Sequence, residues 1–226
     1  TLIASSKLKS GSIVAIQADF SPHAIALFLA LTKTGCIILP IHNQTPNREE
    51  LVKIAQVEFI YRVDEKDQIF SETISSDNEL HPHYQHLRKI KHPGLVLFSS
   101  GTSGKPKGAV HDFTKLLDKF KTQRPSLKIL NFLLFDHWGG LNTMLHTLSN
   151  GGVVLTVENR SPDSICKFIE KHKIEILPTS PTFLNLLLLS GSFKKYDLSS
   201  LKIISYGTEP MPESTLQKLY ALFPDI

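Results

Sequence analysis

Leu95-Val96-Leu97-Phe98-Ser99-Ser100-Gly101-Thr102-Ser103-Gly104-Lys105-Pro106-Lys107-Gly108 is the stretch on which the reading of this chain turns. Its apolar start reads as a strand. The ten residues from Ser99 to Gly108 then hold four hydroxyls, three glycines and two lysines. Glycine lets the backbone approach a ligand closely and take positive φ. Successive backbone N–H groups then form an anion-binding concavity. Serine and threonine hydroxyls donate hydrogen bonds, and lysine brings charge to phosphate oxygens. Together these are the means of a loop that wraps a polyphosphate.

Two common phosphate loops do not fit. A G-x-x-x-x-G-K-[ST] loop ending at Gly104-Lys105 requires glycine where Ser99 stands and a hydroxyl where Pro106 stands. It also requires a following helix, whereas Pro106 resists one and Val110-His111 reads as strand, which counts against an unrelated phosphotransferase. The dinucleotide pattern G-x-G-x-x-G is absent here.

Outward from the loop the chain alternates strand and helix. On the N-terminal side, Ile13–Ala18, Cys36–Leu39 and Phe59–Val63 read as strands, with helices opened by Ser21-Pro22 and Thr45-Pro46. From Asp64 to Pro93 the sequence is polar and reads as irregular, with one short helix near Tyr84–Ile90. Beyond the loop, Gly108–His111 predicts a strand and Phe113–Lys121 a helix. A second series follows, with strands at Ile129–Phe135, Val153–Val157, Ile174–Leu177 and Leu201–Ser205. Its helices run over Gly140–Ser149, from Ser161-Pro162, from Ser180-Pro181 through Leu189, and along the stripe Leu216, Leu219, Phe223. Short apolar strands between amphipathic helices predict an α/β fold: two packed lobes of mostly parallel sheets flanked by helices, residues 1–125 and 126–226. Ligands of such sheets bind beyond the carboxyl ends of strands. The phosphate loop and the turns Phe135–Gly140 and Tyr206–Pro210 all fall at such ends, which favours one shared site.

Composition narrows the class. Of 226 residues 41% are hydrophobic and 20% charged, enough apolar material for a core in this length. A net charge of +4 suits phosphate-bearing ligands, but no basic stripe or basic–aromatic interleaving marks a nucleic-acid binder. Cys36 and Cys166 lie far apart on apolar segments and read as free buried thiols of a reducing, cytoplasmic compartment. No apolar run approaches the length of a membrane span. His81, His83 and His86 form an H-x-H-x-x-H cluster in a polar connector and read as solvated loop histidines, so no metal ligand is assigned.

The pattern [ST]-[ST]-G-[ST]-[ST]-G-x-P-K-G after an apolar strand resembles the phosphate loop of the adenylate-forming superfamily, which includes acyl-CoA synthetases, adenylation domains of peptide synthetases, and luciferases. The similarity runs from about Ser12 onward. It takes in Gly11–Ile16, Ser21-Pro22, Gly35–Pro40, Lys107–His111, His137-Trp138-Gly139-Gly140, Leu148–Gly152 and Tyr206–Met211. What the resemblance implies is the large N-terminal domain of such an enzyme. That enzyme uses ATP and Mg²⁺ to turn a carboxylic acid into an acyl-adenylate, then passes the acyl group to CoA or the pantetheine of a carrier protein. By the same resemblance, Ser99, Ser100, Thr102 and Ser103 donate to the β- and γ-phosphates, Gly101 and Gly104 allow the tight path, and Lys107 anchors the loop or the phosphates. Losing one such donor costs ~3 kcal/mol of transition-state stabilisation. Lys105 sits at a variable position and reads as a solvated lysine.

His137 falls where family members place a side chain bordering the carboxylate and α-phosphate, and is the candidate catalytic residue. Trp138 and Gly139 border the acyl pocket, although Trp138 reads equally as core. Gly207, Thr208, Glu209 and Pro210 flank adenine, although Glu209 alone reads equally as a helix-start carboxylate. Leu141, Met144 and Leu186–Leu189 read as pocket wall or as core. Asp136 departs from the acyl-CoA synthetase pattern. Phe135-Asp136 is similar to the pair by which amino-acid adenylation domains hold a substrate amine, and this leaves an amino acid as an alternative to a plain carboxylate. The family's main Mg²⁺-binding glutamate, its ribose-binding aspartate and its C-terminal lid with the catalytic lysine would lie beyond Ile226. The expectation is therefore a fragment that binds ATP weakly and does not turn over alone. A non-catalytic nucleotide-binding module is the alternative from another class.

Overall fold

The computed structural model describes residues 8–74, 79–100, 105–224 and 226. Two units gather by their own contacts: residues up to Lys121 together with Leu134–Trp138, and Thr122–Leu133 together with Gly139–Ile226. A single cut at residue 125 does not describe this division, because the short run Leu134–Trp138 returns to the first unit.

In the first unit, β1 (Ile13–Gln17), β2 (Ile37–Ile41), β3 (Phe59–Val63), β4 (Ile69–Thr73), β5 (Gly94–Ser100) and β6 (Pro106–Asp112) form one sheet in the order β4-β3-β1-β2-β5-β6. The inner strands β3, β1, β2 and β5 run parallel, with antiparallel β4 and β6 at the edges. Every residue of β2 is buried and β1 nearly so, which explains their unbroken apolar runs: both faces are covered, so no polar face is needed. The helices are α1 (Pro22–Thr34), α2 (Arg48–Ile54), α3 (Pro82–Ile90) and α4 (Phe113–Leu117), with a 3₁₀ turn at Asp118–Lys121. The Ser21 hydroxyl accepts from the Ala24 amide to start α1. Gly35, at φ +83°, ends it by donating to the Leu31 and Thr32 carbonyls. A β-carbon on Gly35 would also meet Ser10 Oγ at 2.7 Å.

The described parts of the segment 64–93, residues 64–74 and 79–93, are more ordered than their polarity predicts. β4 pairs with β3 over five residues although four of its side chains are exposed. Its order comes from backbone hydrogen bonds, which leave no apolar pattern to read. The histidine cluster is not a loop either. His81 caps α3 by accepting from the His83 amide, and His83 and His86 ride on the helix that buries Tyr84 and Leu87. Arg88 of α3 donates to Glu58 at 2.9 Å and to the Gly11 carbonyl, while the other Glu58 oxygen accepts from the Ile13 amide. The start of β1 is thereby tied to β3 and α3.

The second unit carries β7 (Ile129–Leu130), β8 (Val154–Leu155), β9 (Ile176–Thr179) and β10 (Ile203–Tyr206), all parallel, in the order β10-β9-β7-β8. Its helices are α5 (Trp138–Ser149, with Trp138 in the first unit), α6 (Pro162–His172), α7 (Pro181–Ser190) and α8 (Glu213–Leu222). Leu130, Ile165, Ile169, Leu177, Leu184 and Leu219 form its core with Phe132 and Phe183. The strand read as Ile129–Phe135 stops at Leu130. Phe135 instead buries its ring edge-on against Phe20 and Phe28, with centroids 5.1 and 6.2 Å away, inside the first unit. Among the described residues, no helix is long and apolar enough to cross a membrane.

Candidate functional site

β5 and β6 bring the two ends of the candidate phosphate loop together. Their ladder pairs Ser99 with Lys107 and Ser100 with Pro106. Directly opposed residues of an antiparallel pair project from the same face, so the exposed Ser99 hydroxyl and Lys107 ammonium stand side by side at the loop's mouth. Gly108 faces Phe98, whose ring lies 3.1 Å from where a β-carbon would sit. Gly108 therefore serves a close approach, and Phe98 can fold over it onto the sheet core. Lys105 is exposed. Gly101, Thr102, Ser103 and Gly104 lie outside the described residues.

Just past the carboxyl ends of β1 and β2 stands a cluster of polar groups. Asp136 is its centre, with a side chain 13% exposed. One carboxylate oxygen accepts from the Thr45 hydroxyl at 2.6 Å and the His42 amide at 3.2 Å; the other lies 2.7 Å from His137 Nδ1. Burial pushes the Asp136 carboxyl up, but the hydrogen bonds from His137, Thr45 and His42 outweigh it and hold the group at about 2. In return, the hydrogen bond to Asp136 raises the His137 imidazole above its ordinary 6.5 against the pull of burial. A proton on Nδ1 facing Asp136 leaves Nε2 as the acceptor of the neutral ring. His42, 5% exposed, accepts from the Gln44 amide at Nδ1 and points Nε2 at Asp19, 3.4 Å away.

Trp138 is half-buried, and its ring lies 4.8 Å from the Lys119 ammonium, within cation–π range. Burial pushes the Lys119 ammonium below its ordinary pKa, because it disfavours the charged form. In the second unit, Gly139 stands close to Leu133, and its carbonyl accepts from the Thr143 hydroxyl. Buried Asn131, just beyond β7, donates to the Gly140 carbonyl at 3.2 Å, which fixes the start of α5, and its own side-chain carbonyl oxygen finds no hydrogen-bond partner among the described residues.

The turn after β10 holds Gly207, Thr208, Glu209 and Pro210, most of it exposed. Thr208 has φ +72°, a rare conformation for a β-branched residue. Glu209 is not at the start of α8, which begins at Glu213. Its carboxylate instead accepts from the Thr182 hydroxyl in the first turn of α7, where the helix dipole favours negative charge. Leu141 and Met144 are fully buried, whereas Leu186 and Leu189 are exposed at 50% and 74%. A groove of about 360 Å³ between α7 and α8 is lined by Leu188 and Leu189 of the candidate pocket-wall run together with Phe193 and Leu222, and by none of the residues assigned to phosphate, carboxylate or adenine.

Within the first unit the structure therefore joins His137 to Asp136, Thr45 and His42, and places Ser99 beside Lys107. Asp19, His42 and Thr45 were missed as site residues in the sequence. Their signal was positional, since each is polar and lies shortly after the end of an apolar strand.

A mostly parallel α/β sheet whose β5–β6 ladder flanks a hydroxyl- and glycine-rich run is the arrangement expected of an adenylate-forming protein. The chain belongs to the AMP-binding enzyme family, which matches residues 42–226. It is 23% identical to 4-coumarate–CoA ligase-like 9 of Arabidopsis thaliana, over 97% of this chain and 44% of that protein. Acyl-CoA synthetase 7 of Caenorhabditis elegans is 31% identical, over 57% of this chain and 27% of that protein. The chain thus spans less than half the length of these relatives. Its fold is similar to that of the luciferase-like enzyme of the Zophobas morio mealworm, with a TM-score of 0.77 and 19% identity over 99% of this chain and 60% of that one.

Proposed function

We propose that these residues belong to an AMP-forming acid–thiol ligase. In its first step a carboxylate oxygen attacks the α-phosphorus of ATP, the bond to the β-phosphate oxygen breaks, and pyrophosphate leaves. In its second, the thiol of CoA or a carrier pantetheine attacks the acyl carbon and AMP departs. The observation that carries this reading is the β5–β6 hairpin, which sets Ser99 and Lys107 side by side at the mouth of a Ser/Thr/Gly loop. Charge builds on the leaving pyrophosphate, so donors fixed in advance by a strand ladder lower the barrier.

On this reading Ser99, Ser100, Thr102, Ser103 and Lys107 hold the β- and γ-phosphates, with Gly101 and Gly104 allowing the tight turn. His137 donates to the carboxylate or α-phosphate, Trp138 and Gly139 border the acyl group, and Gly207, Thr208, Glu209 and Pro210 flank adenine. Mg²⁺ is typical of AMP-binding enzymes. Among the described residues no group of three or more His, Cys, Asp or Glu is placed to hold a metal ion. The 226 residues alone are expected to bind ATP weakly without turnover.

The test is carboxylate-dependent exchange of labelled pyrophosphate into ATP, using the longest protein that contains this chain and a panel of fatty, aryl and amino acids. Exchange that is lost in a folded Lys107→Ala variant supports the assignment. A folded protein that binds ATP but exchanges with no acid points to a non-catalytic nucleotide-binding module.

A further inference from the structure

We infer that Asp136 is a positioning residue for His137 and is closed to a substrate amine. The inference rests on the ligase reading above and narrows its substrate class to carboxylic acids recognised without an amino group. A carboxylate that anchors a substrate ammonium must turn an oxygen toward the ligand. Asp136 has both oxygens engaged within the fold and little of its side chain exposed. The Thr45 hydroxyl and the His42 amide occupy one oxygen, His137 occupies the other, and the side chain is 13% exposed. His137, by contrast, is 60% exposed, so the pair presents its imidazole and buries its carboxylate.

The strut has a second consequence. Asp136 lies ninety-odd residues along the chain from its donors, which sit in the loop leaving β2. That bond pins the Phe135–Trp138 run to the sheet end of the first unit, beside the buried ring of Phe135. With Nδ1 committed to Asp136, His137 has one nitrogen left for chemistry, Nε2, a donor when the ring is charged and an acceptor when it is neutral. The other charged or titratable groups of the cluster are His42 and Asp19, which pair with each other.

Long-range ¹H–¹⁵N correlation spectra of the histidine rings in this chain test the first half. His137 is expected to carry its proton on Nδ1 when neutral and to titrate above 6.5. In Asp136→Asn its midpoint moves to lower pH, while His42 keeps its tautomer. A wild-type His137 protonated mainly on Nε2, or one whose titration ignores Asp136→Asn, overturns the inference; the wild-type measurement suffices if the variant does not fold. Pyrophosphate exchange tests the second half. Wild type is expected to use acids lacking an amine, with Asp136→Asn lowering kcat and displacing its pH profile while KM for the acid changes little. Exchange confined to amino acids and lost in Asp136→Asn through a raised KM would reassign Asp136 as the amine anchor. If the Asp136–His137 coupling is intact but no acid supports exchange, the positioning role stands and the ligase reading falls.

Discussion

At Asp136, burial and hydrogen bonding pull the acidity of one carboxyl in opposite directions, and the hydrogen bonds win. A carboxyl held at about 2 in the folded chain and near 3.8 when unfolded stabilises the fold by about 2 kcal/mol at neutral pH. The contribution is fully present above the unfolded value and is lost as pH falls through the folded one. Urea unfolding of wild type and Asp136→Asn is therefore expected to show a gap at pH 7 that closes between about pH 5 and pH 2. The raised His137 value has the opposite sense: its contribution is present below 6.5 and fades as pH rises past the folded value. Thr208 is a different residue-scale case. A β-branched side chain in the left-handed region costs about 1–2 kcal/mol. Thr208→Gly should raise stability by about 1 kcal/mol, the gain in strain relief exceeding the added freedom of the unfolded chain. An unchanged or lower urea midpoint would show that the turn holds no such strain.

At the scale of elements, caps and close approaches fix the pieces around the site. The Ser180 hydroxyl accepts from the Phe183 amide to start α7, the helix whose first turn also holds Glu209 through Thr182. Ser180→Ala should cost about 1 kcal/mol in thermal or urea unfolding. The β5–β6 hairpin depends on Gly108, because a side chain there would drive the Phe98 ring off the sheet core. Gly108→Leu is expected to destabilise the first unit by about 1–3 kcal/mol and to weaken nucleotide binding, since the ladder that aligns Ser99 with Lys107 would be disturbed. Tight nucleotide binding by a stable Gly108→Leu variant would separate the hairpin from the phosphate site.

Across the whole molecule, each unit carries one buried cysteine, so thiol chemistry can report on the two units separately. Burial, helped by Glu58, pushes Cys36 in the first unit up to about 12. Burial, helped by Asp163, pushes Cys166 in the second to about 11. Both are fully buried, so at pH 8 neither should react with a disulfide reagent until its unit opens. Two labelling rates that rise independently with urea would show that the units open separately, and one shared rate would show a single cooperative opening. Rapid labelling of either thiol under native conditions would contradict its burial.

Local patterning determined much of this protein. Unbroken apolar runs marked β1 and β2, Ser-Pro pairs marked α1, α6 and α7, and the run from Ser99 to Gly108 identified the family, because those features depend on residues close in sequence. The edge strand β4 was illegible, since backbone pairing holds it without burying its side chains. So was the early end of β7, where Phe135 leaves the sheet series to bury among Phe20 and Phe28. Only the tertiary structure decided that Glu209 faces the first turn of α7 and that Asp136 is occupied by Thr45, His42 and His137. A carboxylate reads the same in sequence whether it waits for a ligand or is already satisfied. The difference lies in donors brought to it from far along the chain, and folding alone places them.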